Sequence, residues 1–335
     1  MHNINLHFGE INELLNAYLK EFSFNKIFIL VDENTKRDCM PLIHFNNFIE
    51  IEIKSGEQHK NIQTCQQIWA VLLEHEAHRN DLLINLGGGV IGDMGGFCAS
   101  VFKRGISFVN IPTTLLAMVD ASIGGKTGID FYNQKNMLGV FNKPKAVLID
   151  NIFLKTLPTR QLLSGKAEML KHGIIANEEH FFSIPIDEIP TLNLIETSIN
   201  IKNDFVKQDP YDKGLRKTLN FGHTLGHALE SYCLSENYDL LHGEAVAQGM
   251  LWAIDLSVNF NALDFSMATR LKNHIRLFFK PLQIPNTSLK EIIIIAQNDK
   301  KNNDSSINFC LLKDISNPIV DLKLSTNQVF DCLSD

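Results

Sequence analysis

The sequence predicts an α/β domain followed by a mainly helical domain. Short apolar segments alternate with helix-like patterns over the first 150 residues, and strand-like segments almost vanish after residue 161. Short buried strands separated by helices are typical of a mostly parallel sheet with helices on both faces. The 335 residues are enough for two domains. We expect these domains at 1–157 and 158–335.

Individual elements follow from the hydrophobic periodicity. The pattern of 62–77 predicts a helix, because Cys65, Ile68 and Leu72 fall on one helical face. A polar loop at 298–309 leads into the strand-like FCLL (309–312). Buried strands are predicted at 26–32, 48–54, 81–86, 106–112 and 146–150. Amphipathic helices are predicted in the second domain at 161–175, 191–207, 218–233, 243–258 and 266–279.

The composition excludes several classes of protein. The hydrophobic fraction of 44% and charged fraction of 21% are those of a globular chain. A net charge of −7 argues against a nucleic-acid-binding protein. The six cysteines form no CxxC pair, which indicates reduced thiols rather than a zinc ribbon. No signal-peptide pattern and no apolar run of membrane-spanning length occur, so we expect a cytoplasmic protein with no membrane partner.

A glycine-rich turn lies between a predicted strand and a predicted helix. It places G-x-G-x-x-G at Gly87, Gly89 and Gly92. Such a turn lets the backbone approach a nucleotide phosphate at a helix N-terminus; a tight packing turn is the alternative. The usual acid after the next strand is absent, since that strand ends in Ile-Pro-Thr-Thr (111–114). Asp32, at the end of the first strand, is therefore the candidate for ribose recognition, or else a helix cap.

Residues 103–143 combine glycines with cations. Arg104, Lys126 and Lys135 lie within or beside glycine turns in this segment. Small residues expose the backbone and cations supply charge, so the segment predicts a phosphate or carboxylate pocket. For any single lysine, a solvated loop position is the alternative.

A metal site is predicted in the second domain. His223 and His227 share one helical face at i and i+4, and His242 opens the next helix. Glu168 is a candidate acidic ligand. Three histidines and a carboxylate suit a catalytic zinc that keeps one open position. Thr224 stands where the metalloprotease motif needs glutamate, which excludes that motif. The spacing does not decide which three of the four groups ligate.

Ordered motifs across about 25–315 resemble the 3-dehydroquinate synthase family of sugar-phosphate cyclases. Iron-type alcohol and glycerol dehydrogenases belong to the same superfamily but lack this full set. The motifs are SGEQHK (55–60), GGGVIGDMGGF (87–97), FKRGI (102–106), IPTTLLAMVDASIGGKTGID (111–130), QKNMLGVF (134–141), FLKTLP (153–158), GKAEMLKHG (165–173), LRKTLNFGHTLGHALE (215–230), HGEAVAQGM (242–250) and DKK (299–301).

The resemblance implies a dinucleotide-binding α/β domain, a helical metal- and substrate-binding domain, and an active site in the cleft between them. Implied zinc ligands, with cobalt as the alternative metal, are Glu168, His223 and His242. Implied NAD contacts are Asp32, Asn34, Glu57, Lys60, Gly89, Val90, Ile91, Gly92, Asp93, Thr113, Thr114, Lys126, Lys135, Phe153 and Thr156. Implied catalytic and substrate groups are Arg104, Asp120, Lys126, Asn136, Lys171, Lys202, Arg216, Asn220, His227 and one of Lys300 or Lys301.

The implied reaction converts 3-deoxy-D-arabino-heptulosonate 7-phosphate into 3-dehydroquinate and phosphate. NAD is reduced and reoxidised within each turnover, so the enzyme is a lyase with no net redox change. The resemblance also implies a homodimer, in which Arg104 reaches the neighbouring active site. Asp212 and Lys213 replace the glutamate and glycine usual in the family, and the loop after DKK lacks the expected glycine. A sister sugar-phosphate cyclase, a polyol dehydrogenase of the superfamily and a non-enzymatic binding protein are the alternatives.

Overall fold

The computed structural model describes residues 5–132, 134–210, 212–298 and 306–334. The contacts between residues divide the chain into two compact units. The first unit comprises Met1–Leu162 and the returning segment Ile189–Ile199. The second unit comprises Leu163–Glu188 and Asn200–Asp335.

A six-stranded parallel sheet forms the centre of the first unit, and it confirms the predicted fold class. The strands lie in the order β1-β8-β5-β4-β2-β3, and all the pairs are parallel. The central strand β4 is buried along its whole length, in keeping with a mostly apolar sequence in which Asn85 is the one polar side chain. The strands are β1 (Leu6–Phe8), β2 (Ile27–Asp32), β3 (Ile49–Ile53), β4 (Leu82–Gly87), β5 (Ser107–Pro112) and β8 (Val147–Ile149).

Helices connect these strands, as a parallel sheet requires. Helix α3 buries Cys65, Ile68 and Leu72, the face that its periodicity predicted. Helix α4 begins directly after β4, so the glycine turn is a strand-to-helix connection, as expected. The helices are α1 (Ile11–Glu21), α2 (Glu33–Asp38), α3 (Ile62–Glu74) and α4 (Gly89–Val101).

A two-stranded antiparallel hairpin lies in the later part of the cation-rich segment, at residues 126–141, for which the sequence predicted no strands. Strand β6 (Lys126–Phe131) pairs with β7 (Gln134–Phe141). All eight residues of β7 are exposed, so the strand lacks the buried apolar run that identifies the strands of the main sheet.

The second unit is mainly helical, and its longest helices match the predicted patterns. Helix α7 begins in the returning segment of the first unit and continues into the second. The helices are α5 (Thr159–Ala176), α6 (Glu178–Ser183), α7 (Leu192–Gln208), α8 (His223–Ser235), α9 (His242–Phe260), α10 (Phe265–Phe278), α11 (Asn286–Gln297) and α12 (Thr326–Leu333). None of the described helices is long and apolar enough to cross a membrane.

Two features of the second unit differ from the predictions. A hairpin of β9 (Ser306–Asp314) and β10 (Asn317–Ser325) extends the predicted strand-like FCLL into a pair of strands. The helix expected at 218–233 begins only at His223, after the 3-10 segment Leu215–Asn220. Gly222, at φ 74°, separates the two, because a left-handed residue ends one helical segment before the next begins.

Glycines allow α8 and α9 to approach closely. A Cβ atom at Gly226 would lie 3.0 Å from the carbonyl oxygen of Ala245, and one at Gly249 would lie 3.0 Å from the backbone nitrogen of Gly226. Side chains at these positions would push the helices apart. Since His223 opens α8 and His242 opens α9, this approach fixes the distance between the two histidines.

Candidate active site

The strand order reverses between β2 and β4, because β2 leads to β3 on one side and β4 leads to β5 on the other. Ligands of open α/β sheets bind outside the carboxyl ends of the strands at such a reversal. Asp32 ends β2 and Gly87 ends β4. Thr113 and Thr114 follow β5 directly. Residues predicted to contact NAD therefore lie at the carboxyl edge of the sheet.

The backbone of the glycine turn is open to a phosphate. Gly88 is the N-cap of α4 and makes no side-chain cap, so the N–H groups of the first turn, which comprises Gly89, Val90 and Ile91, face outward from the helix end. A Cβ atom at Gly88 would lie 3.1 Å from Cγ2 of Thr114. The N–H of Thr113 donates to the carbonyl of Gly87 at 3.0 Å, which holds the two turns side by side.

Asp32 acts as the cap of α2. Its Oδ1 accepts hydrogen bonds from the N–H groups of Asn34 at 3.0 Å and Thr35 at 2.8 Å. The described contacts therefore show Asp32 as a helix cap, which the sequence offered as the alternative to ribose recognition. The same bonds keep the carboxylate at the carboxyl end of β2, where a ribose contact remains a prediction for Asp32 and Asn34.

Lys60 and Asp93 form a buried ion pair beside the glycine turn. The Nζ atom of Lys60 donates to Oδ2 of Asp93 at 2.6 Å and to Oδ1 of Asn136 at 2.7 Å. Glu57 lies 4.0 Å from the same ammonium. Burial opposes the charge, but Asp93 and Glu57 raise the pKa of Lys60 above its usual value. The ammonium group of Lys60 thus lies beside Asp93 and Glu57, which are predicted NAD contacts, and Asn136, which is a predicted substrate contact.

The remaining predicted groups of the first unit lie on connecting segments. Arg104 is exposed, with φ 69° at the end of the 3-10 turn Phe102–Arg104. Asp120 lies in the π-helical turn Ala117–Ala121. Lys126 and Lys135 are exposed on the β6–β7 hairpin, whereas Phe153 is buried in the 3-10 segment that Thr156 terminates.

Glu168, His223 and His242 come together in the second unit. The Oε1 atom of Glu168 lies 3.2 Å from Nε2 of His223 and 3.4 Å from Nε2 of His242. Glu168 is fully buried, its Oε2 forms an ion pair with Lys171, and its Oε1 has no hydrogen-bond partner among the described residues. A buried carboxylate oxygen that faces two imidazole nitrogens is the arrangement that a divalent cation satisfies.

The Nδ1 atoms of His223 and His242, which do not face Glu168, contact other groups. Nδ1 of His223 lies 3.2 Å from the carbonyl oxygen of Phe221, and Nδ1 of His242 lies 3.3 Å from Oε2 of Glu230. Metal-ligating histidines usually donate their second N–H to such acceptors, which leaves Nε2 for the metal. Glu230, which contacts the ring of His242, was not predicted as a site residue, although it lies about one helical turn after His227.

His227 lies beside these ligands. Its ring centroid is 4.9 Å from that of His223 and 5.7 Å from that of His242. One nitrogen from each of the three rings falls within 4.8 Å of the others. The structure thus brings all four groups from the sequence together, and it leaves His227 as a fourth donor or a neighbour of the metal.

Burial and neighbouring charges set the protonation of this cluster. Burial and the two other histidines lower the pKa of His227 to about 3, so its imidazole is neutral near pH 7. Burial lowers the pKa of His242, but Glu168 and Glu230 outweigh it and raise the pKa to about 9. Burial opposes ionisation of Glu168, yet Lys171 and His223 hold its pKa well below the usual range. The cluster therefore keeps its carboxylate ionised.

Several predicted cations are buried in the second unit. Lys171 contacts Oε2 of Glu168 and is 2% exposed. Lys202 and Arg216 are each 6% exposed. Asn220 ends the 3-10 segment that also contains Arg216. Buried cations are unusual unless they are paired or face an anionic ligand. Lys300 and Lys301 lie outside the described residues.

Asp209 organises the loop before Arg216 and was not singled out in the sequence. Its Oδ2 accepts from the N–H groups of Gly214 at 2.6 Å and Arg216 at 3.1 Å, and its Oδ1 accepts from Lys213 at 3.0 Å. The guanidinium of Arg216 also donates to the carbonyl of Pro210 at 3.1 Å. Asp209 therefore holds the backbone of Lys213, Gly214 and Arg216, and Lys213 is one of the two residues that depart from the family pattern.

Two family profiles cover most of the chain. The N-terminal domain of 3-dehydroquinate synthase matches residues 50–164, and its C-terminal domain matches residues 165–302. The chain belongs to the 3-dehydroquinate synthase family. A curated 3-dehydroquinate synthase from Parabacteroides distasonis is 38% identical over 97% of this chain and 95% of its own length. Membership of the 3-dehydroquinate synthase family confirms the relationship and the function that the motifs predicted.

Two solved structures of synthases with other names share the fold. A 2-epi-5-epi-valiolone synthase from Streptomyces hygroscopicus, with NAD+ and Zn2+ bound, has a TM-score of 0.87 at 24% identity and covers 99% of this chain and 96% of its own. A 2-deoxy-scyllo-inosose synthase complexed with carbaglucose-6-phosphate, NAD+ and Co2+ has a TM-score of 0.84 at 23% identity, with 98% and 96% covered. These similarities support the fold class.

Proposed function

We propose that the chain converts 3-deoxy-D-arabino-heptulosonate 7-phosphate into 3-dehydroquinate and phosphate, with NAD and a divalent metal as cofactors. The observation that carries the proposal is the contact of Glu168 Oε1 with Nε2 of both His223 and His242 at 3.2 and 3.4 Å. These three residues would hold the metal. Zinc or cobalt suits this set of one carboxylate and two imidazoles.

NAD would bind at the carboxyl edge of the sheet. The N–H groups of Gly89 and Val90 would receive its pyrophosphate at the start of α4. Lys60, held by Asp93 at 2.6 Å, would place positive charge beside the cofactor. When bound, NAD supplies a reversible two-electron acceptor and the metal supplies Lewis acidity toward a substrate hydroxyl.

The substrate carries a carboxylate and a phosphate, and the chain offers cations for both. Lys202 and Arg216 are buried, and the guanidinium of Arg216 is held by the carbonyl of Pro210 at 3.1 Å, so binding an anion would cost Arg216 little reorganisation. Arg104 and Lys126 are exposed. Arg104 would contact the substrate from the turn Phe102–Arg104, and Lys126 would do so from the start of β6. Asn136 would donate its amide N–H to a substrate oxygen, since its Oδ1 already accepts from Lys60.

His227 would move or hold a proton during the reaction. The pKa of about 3 makes its ring neutral near pH 7, so one nitrogen accepts and the other donates. Lys171 would hold Glu168 ionised and orient a substrate hydroxyl. We also propose that Asp120 binds a hydroxyl group.

The test measures phosphate release from purified protein given the heptulosonate phosphate, NAD and Zn2+ or Co2+. The expected result is phosphate release that needs NAD without net NADH absorbance at 340 nm. Removal of metal with a chelator should abolish the release, and added Zn2+ or Co2+ should restore it. Stoichiometric NADH would indicate a polyol dehydrogenase instead. Turnover of a different sugar phosphate in place of the heptulosonate would indicate a sister cyclase.

We propose a homodimer as the assembly. The β6–β7 hairpin supports this proposal, because it exposes apolar side chains in one short segment; Phe141 is 72% exposed and Tyr132 is 86% exposed. Light scattering after size-exclusion chromatography should give twice the chain mass of 37.8 kDa. Phe141→Glu should shift the protein toward monomer, and a monomeric wild type would contradict the proposal. A cytoplasmic location stays a prediction.

A further inference from the structure

The β6–β7 hairpin carries a bulge at the residues that face the cofactor site. Ile129 pairs with Leu138, and Phe131 pairs with Gln134. Between these pairs, β6 contributes one residue, Asp130, and β7 contributes the three residues 135–137. Bulges re-aim side chains and are common beside active sites. The present bulge carries Asn136, which the proposed function places against the substrate, and Lys135, which the family resemblance implies as an NAD contact.

Asp130 stabilises this bulge at Asn136, whose backbone conformation is unfavourable. Asn136 has φ 52°, in the left-handed region that a side chain disfavours. Oδ1 of Asp130 accepts the N–H of Asn136 at 2.7 Å. Asparagine tolerates this region better than most residues, but it still needs a partner for its N–H, and Asp130 supplies one.

The backbone of Asp130 is also hydrogen-bonded to the backbone of Lys60. Its N–H donates to the carbonyl of Lys60 at 2.8 Å. Lys60 is 3% exposed and donates from Nζ to Oδ1 of Asn136 at 2.7 Å. Asp130, Asn136 and Lys60 therefore form a closed ring of hydrogen bonds. Within this ring, Asp130 fixes both backbones and Lys60 fixes the amide.

We infer that Asp130 is a positioning residue, which sets the Asn136 amide and the Lys60 ammonium by holding the bulge. Asp130 itself would contact neither substrate nor NAD. The inference rests on the proposed function, in which Asn136 meets the substrate and Lys60 meets the cofactor. What the position requires is an acceptor oxygen at the length of an aspartate side chain. Asparagine keeps that oxygen, whereas alanine removes it.

The experiment compares Asp130→Ala with Asp130→Asn in the full-length protein. Asp331→Ala, at an exposed position of α12, is the matched control for loss of an aspartate. Hydrogen exchange of the peptide 134–141 reports the bulge, and phosphate release at varied substrate and NAD reports the site. If the alanine variant does not fold, Asp130→Ser takes its place, because the serine oxygen is too close to the backbone to reach.

Asp130→Ala should speed exchange of the peptide and raise the substrate KM about five- to tenfold, with a smaller change in kcat, because one hydrogen bond is lost. Asp130→Asn should stay within about twofold of wild type, because its Oδ1 can still accept. Unchanged exchange and KM in Asp130→Ala would overturn the inference, as would equal losses in both variants. A wild type without phosphate release would instead refute the proposed function, and the exchange result would still decide whether Asp130 holds the bulge.

Discussion

Oε1 of Glu168 lies 3.2 Å from Nε2 of His223 in a buried part of the second unit. We expect His223→Ala to lose bound metal and turnover together. The loss in metal affinity should be at least about a hundredfold, because changes to outer partners alone cost 10–100-fold. Metal content by mass spectrometry and phosphate release check both effects. His78→Ala, at an exposed histidine, is the control, and a His223→Ala variant with full metal would show that other groups hold the ion.

Glu230 should tune metal binding through His242. Nδ1 of His242 lies 3.3 Å from Oε2 of Glu230, so the carboxylate fixes the ring that presents Nε2. We expect Glu230→Ala to weaken metal affinity about tenfold or more, with a smaller loss in Glu230→Gln, which keeps an acceptor oxygen. Competition with a coloured chelator measures the affinity. Glu236→Ala, exposed at the end of α8, should change nothing; equal affinities in all variants would remove Glu230 from the metal site.

The close approach of α8 and α9 should be sensitive to one methyl group. Gly249→Ala would place a Cβ atom against the backbone of Gly222 and Gly226. We expect a loss of about 1–3 kcal/mol in the free energy of unfolding, as for other overpacked contacts. Urea denaturation measures it. A Gly249→Ala variant as stable as the wild type would show that the two helices accommodate a methyl group at this contact.

His180 should make the protein less stable in mild acid. It is 3% exposed, and neither ring nitrogen has a hydrogen-bond partner among the described residues. Burial lowers its pKa from 6.5 to about 4. Between these values the unfolded state binds more protons than the folded state, so stability falls as pH drops from 6.5 toward 4.

The fall is limited to about 1.4 kcal/mol per pH unit for one group. His180→Leu should remove this part of the pH dependence. Urea unfolding of both proteins at pH 7, 6 and 5 gives the difference between their slopes, which cancels the titration of the metal-site histidines. Exposed His78→Leu is the control. Parallel slopes for wild type and His180→Leu would mean that His180 is not buried as a neutral ring.

Strands buried on both faces were predictable, because β2, β4 and β5 are short, mostly apolar runs. Strand β7 was not, since all its residues are exposed and its pairing depends on the bulge opposite Asp130. The start of α8 was placed too early, because the helical period continues through Leu219 while the break lies in the backbone of Gly222. Strand β10 was predictable, because the apolar residues Val320, Leu322 and Leu324 alternate with Asp321 and Lys323, and burial follows the same alternation.

The metal candidates were predictable as residue types, but their arrangement was not. Spacing identified His223 and His227, yet the contact of Glu168 with His223 and His242 depends on how α5, α8 and α9 pack. Asp130, Asp209 and Glu230 act through hydrogen bonds to the backbone or to another side chain. Such roles depend on three-dimensional distances, so no residue pattern along the chain indicates them.

The returning segment Ile189–Ile199 belongs to the first unit, so a single cut in the gene cannot separate the two units. The side chain of Asn151 donates to the carbonyl of Pro190 at 3.2 Å, and Ile195 and Ile199 are fully buried. A fragment that stops after Leu162 would lack this segment, and a fragment that starts at Leu163 would carry it without its partners. Neither unit is therefore encoded by an uninterrupted stretch of codons, and recombination at a single crossover would transfer neither one intact.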